Sequence, residues 1–348
     1  MAGKADAARC QWISEREAFK AFATHAGKTE SAGHIKPLHW YVACRLVLEG
    51  GLDPSWIMPR PPFKIKQEGK KSERRYSIEY DASVGQGGEQ TILGGLKTKN
   101  VDVVVSIPDL GPVLAVSCKG VTKAFRNLTN RMEETIGECT NLHITYPAMV
   151  VGYFAILRAN RTLEDAAAAP ELEPAEDVAA ETPESAGESD SDVDGEDEQA
   201  DIDTAAAAEA VVDSVVNGGK KKKGTKNDLA FDGDGNVVEG IVRFHAALSE
   251  MTGRRGIRDE ISRYEAMTTV MIEPHGDDAG NVFAGFPDAA SKLHLSRFFK
   301  TLYQRYEERF VIGAPLLSGK TGRYVWDPES PALTSPAITI DHDVRSAE

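Results

Sequence analysis

Residues 101–133 read VDVVVSIPDLGPVLAVSCKGVTKAFRNLTNRME, and this stretch decides the fold. Val101–Ile107 and Pro112–Cys118 are two runs rich in β-branched residues. Between them stand Pro108, Asp109, Leu110 and Gly111, a turn composition in which Pro, Asp and Gly supply the unusual backbone angles. A turn of those four residues sets Ile107 against Pro112, and counting outward sets Asp102 opposite Ser117. Lys119 is two residues further on and projects from the same face. From Lys123 to about Leu142 the pattern becomes helical, with Phe125, Leu128, Met132, Ile136 and Cys139 recurring at helical spacing. Glu133 lies beside that stripe, on a flank shared by Arg126, Asn130 and Gly137, while Glu134 falls on the far side. Ala148–Leu157 (AMVVGYFAIL) is almost unbroken in its apolarity, the pattern of a strand covered on both faces at the centre of a mixed sheet.

Upstream, the spacing predicts a helix from Trp12 to about Ala26, with Ser14 as N-cap ahead of Glu15 and Glu17. A second helix is expected from Pro37 to Glu49, stopped by Gly50 and Gly51. Glu49 stands in its last turn, where a carboxylate opposes the helix dipole, so either a solvated surface position or a functional one accounts for it. The Pro-rich SWIMPRPPFKI reads as a loop entering an edge strand, Tyr76–Tyr80 as a strand, and residues 83–99 as a polar, Gly-rich connection. Downstream, a helix is expected over about 238–252, a strand at Met267–Ile272, a long helix over about 288–309 and a last strand at Phe310–Ile312.

The formal net charge of -14 is unevenly spread. Residues 164–217 hold 19 of the 54 acidic residues and none of the 40 basic ones, whereas residues 1–163 carry 22 basic against 16 acidic. The acidic stretch has no aromatic residue and cannot bury enough apolar surface to offset its ordering entropy. The expected organisation is therefore one α/β (α+β) domain, a mixed central sheet flanked by helices. Residues 1–163 form its first part, 164–226 a disordered acidic insertion holding at most a short helix near 204–216, 227–330 the completing part, and 331–348 a loose tail. A mildly basic first part suits a phosphate-rich partner. The cysteines Cys10, Cys44, Cys118 and Cys139 form no CxxC pair, which argues against a structural zinc or disulfide framework. No signal-peptide pattern and no run of about 18 apolar residues occurs, so a cytoplasmic, non-membrane protein is expected.

A charge inside a Val-rich strand needs a partner, because an unpaired buried charge costs several kcal/mol. Asp102 and Lys119 fit a structural ion pair or a catalytic pair equally. Glu133, on the following helix, adds a second carboxylate. Two carboxylates and a lysine suit a hard divalent ion such as Mg²⁺ and phosphodiester hydrolysis.

In this order, Asp102, the hairpin turn, Ser117-Cys118-Lys119 and the next helix, the chain resembles the PD-(D/E)xK nuclease superfamily over roughly residues 35–157. Most of that superfamily has an acid where Ser117 stands. One branch of type II restriction endonucleases instead carries S-x-K with a displaced helix glutamate, and Ser117-Cys118-Lys119 followed by Glu133 is similar to it. The resemblance implies a restriction-endonuclease-like fold and a Mg²⁺-dependent endodeoxyribonuclease acting on double-stranded DNA. It implies that Asp102, Glu133 and the Cys118 carbonyl hold the metal, that Lys119 serves the attacking water and the phosphate charge, and that Glu49 matches an auxiliary glutamate. It also implies a homodimer or higher homo-oligomer and a cognate DNA methyltransferase. Lys97, Lys99, Lys123, Arg126 and Arg131 are the expected DNA contacts. Asp109 belongs to the turn, at the wrong end of the hairpin for chemistry. Where S-x-K enzymes that read CCGG-containing sites carry an Arg-rich motif, this chain has Lys123-Ala124-Phe125-Arg126, so the same target does not follow.

Two other functional readings stand beside this one: a repair or phage-defence nuclease without sequence specificity, and a non-catalytic DNA-binding protein on a nuclease-like fold. Ala314–Thr321 (APLLSGKT) has Walker A spacing, but too little chain follows for a nucleotide-binding core. Asp232-Gly233-Asp234-Gly235-Asn236 opens like a calcium loop, yet Val237 and Arg243 occupy positions that need glycine and a bidentate glutamate. The eight histidines form no HxxxH or HExxH group, and packing roles suffice for them.

Overall fold

The computed structural model describes residues 14–25, 33–69, 75–123, 125, 128–169 and 225–334. In chain order these form helices α1 (Glu15–Ala23) and α2 (Lys36–Leu48), then strands β1 (Ile57–Met58), β2 (Phe63–Glu68), β3 (Arg75–Tyr80), β4 (Gln90–Ile92), β5 (Lys99–Val101), β6 (Val103–Ile107) and β7 (Gly111–Val121). There follow α3 (Leu128–Thr145), β8 (Val150–Arg158), α4 (Leu163–Ala168), α5 (Glu239–Met251), β9 (Ala266–Ile272) and α6 (Leu295–Tyr306). The architecture is mixed α/β. A five-stranded sheet of order β1-β6-β7-β8-β9 forms its centre. The β1, β6 and β7 pairings are antiparallel, and β7, β8 and β9 run parallel. The parallel strands need crossovers, and α3 supplies the one between β7 and β8.

Burial explains the strand sequences. All nine residues of β8 and all seven of β9 are buried, which is why both read as continuous apolar runs. Alternate residues serve opposite layers. Val103, Val105, Leu114, Val116, Phe154 and Ile156 face the layer containing α1, α2 and α6, where Phe19, Phe22, Leu38, Val42, Phe298 and Leu302 pack. Val104, Ala115, Tyr153, Ala155 and Leu157 face α3 and α5, against Leu128, Cys139, Leu142, Phe244 and Leu248. Helix α2 is buried from Pro37 to Leu48, apolar nearly all round because it runs inside the first layer. Gly152 allows α6 to approach β8, since a Cβ there would stand 3.1 Å from Leu302 Cδ2.

The N-cap expected at Ser14 is present, its hydroxyl accepting from the Glu17 amide at 3.2 Å. Several boundaries move. The crossover helix begins at Leu128, not Lys123. The helix expected from 288 starts at Leu295, where His294 caps it by accepting from the Ser296 amide. Phe310–Ile312 is no strand. It lies in a π-helical turn, Glu307–Ile312, that prolongs α6 and sets the Phe310 ring, tilted, against Tyr306 at 5.4 Å. Both edges of the expected insertion are ordered. Thr162 and Asp165 form a capping box at the start of α4, and an ordered turn resumes at Lys226–Asp228. Residues 170–224, including the helix expected near 204–216, lie outside the described residues. Chain on both sides of that gap belongs to one folding unit. The tail expected to be loose from 331 begins with a helical turn, Pro331–Thr334, whose Ala332 is buried beside β3. Among the described residues no helix is long and apolar enough to cross a membrane.

Candidate active site

The hairpin of β6 and β7 turns on three residues, Pro108–Leu110, with Asp109 at φ 65° and Gly111 at φ 88°. Ile107 therefore faces Gly111, one residue off the expected register. A bulge between Val105 and Ser106 then restores it, giving Val105 opposite Leu114 and Val103 opposite Val116. Extending that register one pair places Asp102 opposite Ser117, as the sequence predicts. Strand β6 stops at Val103 and β7 continues to Val121, so the main chain of β7 beyond Ser117 has no β6 partner on that side. The Asp102 carboxylate occupies the gap: its Oδ2 accepts from the Cys118 amide at 2.7 Å and lies 3.5 Å from Ser117 Oγ.

Ser117 Oγ donates to Glu138 Oε2 at 3.1 Å. Lys119 Nζ stands 3.5 Å from Glu134 Oε1 and 3.9 Å from Glu138 Oε2, and Lys99 Nζ is 3.7 Å from Glu138 Oε2. Two helix acids thus reach the cluster: Glu138, which is 5% exposed, and the exposed Glu134, which the sequence pattern set on the far side, whereas Glu133 is exposed on α3 and does not. The reason is the rotation of the helix. Its buried residues include Leu128, Thr135, Glu138, Cys139 and Leu142, while Ile136 of the expected stripe is 42% exposed. Thr135 hides its hydroxyl on the Arg131 carbonyl at 2.5 Å, and its own carbonyl accepts from Tyr264 Oη at 2.8 Å, so a polar residue fills a core-facing place. Replacing Ile136 by Thr135 in the stripe turns the helix about 100°. Glu133 then leaves the site and Glu138 enters it.

Burial raises the Glu138 pKa, opposed by Lys119 and Lys99. Burial acts against the Lys119 charge, but Glu138, Asp102 and Glu134 outweigh it and hold this group protonated beyond the ordinary lysine range. Lys119 is therefore held as an ammonium in this arrangement. The Cys118 thiol is pushed up by burial and stays neutral. Its amide points toward Asp102. In an extended strand the carbonyl of the same residue points to the same edge.

On the other side of Asp102 stand two residues that the sequence pattern did not bring forward. His39 Nε2, from buried α2, lies 3.7 Å from Asp102 Oδ1 and has no hydrogen-bond partner among the described residues. Glu89 comes from the loop before β4, and the ligand atoms of His39, Glu89 and Asp102 lie within 4.8 Å of one another. Burial lowers the His39 pKa against Asp102 and Glu89, leaving a neutral imidazole. These three side chains can hold a metal ion. A histidine on a largely apolar helix was the available sequence signal for His39. Glu89 carried none, because its loop is polar throughout.

The remaining sequence candidates distribute as follows. Glu49 caps α2 ten residues beyond His39, about 15 Å along the helix axis. It pairs with Arg45 Nε at 2.5 Å and accepts from Tyr303 Oη at 3.4 Å, so it belongs to the packing of α2 on α6 and not to this cluster. Lys97 is exposed on the β4–β5 loop, which Asn141 of α3 clamps by accepting from the Leu96 and Lys97 amides at 2.7 and 3.2 Å. Lys123 and Arg131 are half-buried, and Arg126 lies outside the described residues. The Walker A-like segment forms a 3₁₀ turn and a four-residue helix after α6 and its π-helical extension, with no preceding strand, and Lys320 pairs with Asp109 at 3.2 Å. The Asp232 loop closes on itself, Oδ1 accepting from the Asp234 and Asn236 amides at 2.9 Å. No family model, no curated protein and no solved structure matches the chain.

Proposed function

We propose that this chain is a divalent-metal-dependent endodeoxyribonuclease of the PD-(D/E)xK type, on a restriction-endonuclease-like fold. The observation that carries the reading is the convergence of Asp102, Lys119 and Glu138 around Ser117, from two neighbouring strands and the helix that follows them. The antiparallel hairpin followed by parallel β8 and β9 supports the fold assignment. Asp102, Glu138 and the Cys118 carbonyl form the donor set, and its oxygen chemistry fits Mg²⁺. A bound dication there supplies neutralisation of phosphoryl charge and lowers the pKa of a water molecule.

The protein's own part is positioning. Ser117 orients the Glu138 carboxylate through its hydroxyl. The Cys118 amide fixes the Asp102 carboxylate. Lys119, held as an ammonium, stabilises the charge that develops on the phosphate oxygens. Lys97 and Lys99 at the β4–β5 ribbon, with Lys123 and Arg131, provide backbone contacts to double-stranded DNA. A homodimer would place two such sites on the two strands of a duplex, and a cognate methyltransferase would complete a restriction system.

The test is cleavage of supercoiled plasmid by purified protein with Mg²⁺. Asp102→Ala and Lys119→Ala should abolish cleavage while circular dichroism stays native. Cleavage retained by either variant overturns the assignment. Discrete bands from phage DNA indicate sequence-specific cutting, and a smear indicates a nonspecific defence or repair nuclease.

A further inference from the structure

The two oxygens of Asp102 face different surroundings. Oδ2 is engaged by the Cys118 amide at 2.7 Å and lies beside Ser117 and the Glu138 side of the site. Oδ1 faces His39 Nε2 at 3.7 Å, too far for a hydrogen bond and close enough for two ligands of one ion. Donor atoms about 2.0–2.2 Å from a shared ion stand roughly 3–4.4 Å apart. His39 is 3% exposed, and its Nε2 has no hydrogen-bond partner among the described residues, so a water or a ligand is needed to complete it. Glu89 closes the third side, with all three ligand atoms within 4.8 Å.

We propose that His39, Glu89 and Asp102 form a cation site, next to the Asp102–Glu138 donor set, that takes a first-row transition dication in preference to Mg²⁺. The imidazole decides the selectivity. Mg²⁺ keeps oxygen ligands and dehydrates reluctantly, whereas Co²⁺ and Zn²⁺ accept imidazole nitrogen readily, and Mn²⁺, although it favours oxygen, tolerates one imidazole better than Mg²⁺ does. Two carboxylates and one neutral imidazole make a mixed N/O set. Asp102 is shared, so the site and the catalytic cluster form a pair of adjacent cation positions on one carboxylate. The inference rests on the nuclease reading only through that shared residue.

The experiment is Mn²⁺ binding to the full chain without DNA, followed by electron paramagnetic resonance of the free ion, with Mg²⁺ as competitor. A change in position and intensity of the visible Co²⁺ bands from those of the aqua ion reports ligation by the protein independently. The wild type should bind Mn²⁺, resist displacement by a tenfold excess of Mg²⁺ and shift and intensify the visible Co²⁺ bands relative to the aqua ion. His39→Gln and Glu89→Ala should each weaken Mn²⁺ binding at least tenfold. Glu89 lies on an exposed loop, so its variant stays informative if His39→Gln disturbs the buried helix. Displacement by equimolar Mg²⁺, or Mn²⁺ affinity within twofold of wild type for Glu89→Ala, overturns the proposal. Mn²⁺ binding with these dependences but no DNA cleavage supports this site and overturns the nuclease reading instead.

Discussion

Exchanging the two helix acids one at a time tests the site where sequence and structure part. Glu138 lies in the cluster, hydrogen-bonded by Ser117 at 3.1 Å and 3.9 Å from Lys119 Nζ. Glu133 is exposed and makes no hydrogen bond or ion pair among the described residues. Glu138→Gln preserves shape and the Ser117 contact while removing a carboxylate beside Lys119 and, on the proposed reading, one member of the donor set. Losing one preorganised electrostatic group in a water-poor site costs about 10²–10³ in rate, roughly 2.7–4 kcal/mol of transition-state stabilisation. An exposed substitution away from such groups stays within about 0.5 kcal/mol, a factor of two to three. The rates of Glu133→Gln and Glu138→Gln should therefore differ at least 30-fold (about 2 kcal/mol). The assay is single-turnover plasmid nicking at saturating metal, with thermal melts showing both variants folded. Equal losses in the two variants, or a Glu138→Gln rate within threefold of wild type, would refute the placement of the displaced acid.

Other outcomes follow from the same contacts. Glu49→Gln should leave cleavage within about threefold, because its carboxylate serves Arg45 and Tyr303 far from Asp102; a hundredfold loss would restore it to the site. Glu265 is fully buried and takes Arg254 Nη1 at 2.8 Å, Arg309 Nη2 at 2.6 Å and the Val151 amide at 2.7 Å. Glu265→Ala strands two guanidinium groups and should cost about 3–5 kcal/mol in urea unfolding, and a cost under 1 kcal/mol would contradict that network. Burial raises the Glu265 pKa, but His143, 3.5 Å away, and the charge of Arg309 leave it below the ordinary value. Its folded-state pKa is therefore lower than its unfolded one. The stability it adds is present above about pH 4.3 and fades as pH falls through the folded value, so Glu265→Gln should flatten the acid limb of an unfolding-midpoint profile. Asn141→Ala removes the side-chain acceptor of the Leu96 and Lys97 amides and should raise hydrogen exchange across residues 93–98 with little change in global stability. Unchanged exchange there would show that the loop holds itself.

What depends on local pattern is legible along the chain. The apolar run before Arg158 is a central strand, as its β-branched and aromatic residues and its short length indicate. The pairing of Asp102 with Ser117 survived an error at the turn, because the bulge at Val105 and Ser106 cancelled the one-residue slip and a strand repeats every two residues. Tertiary packing decided the rest. Which acid of α3 enters the site depends on helix rotation, and one residue changes that by about 100°. Thr135, polar in sequence and buried in fact, made the expected stripe point to Glu133 in place of Glu138. His39 and Glu89 reach Asp102 from a different helix and a featureless loop. Their meeting is set by how α2 packs on the sheet, which no spacing along the chain encodes.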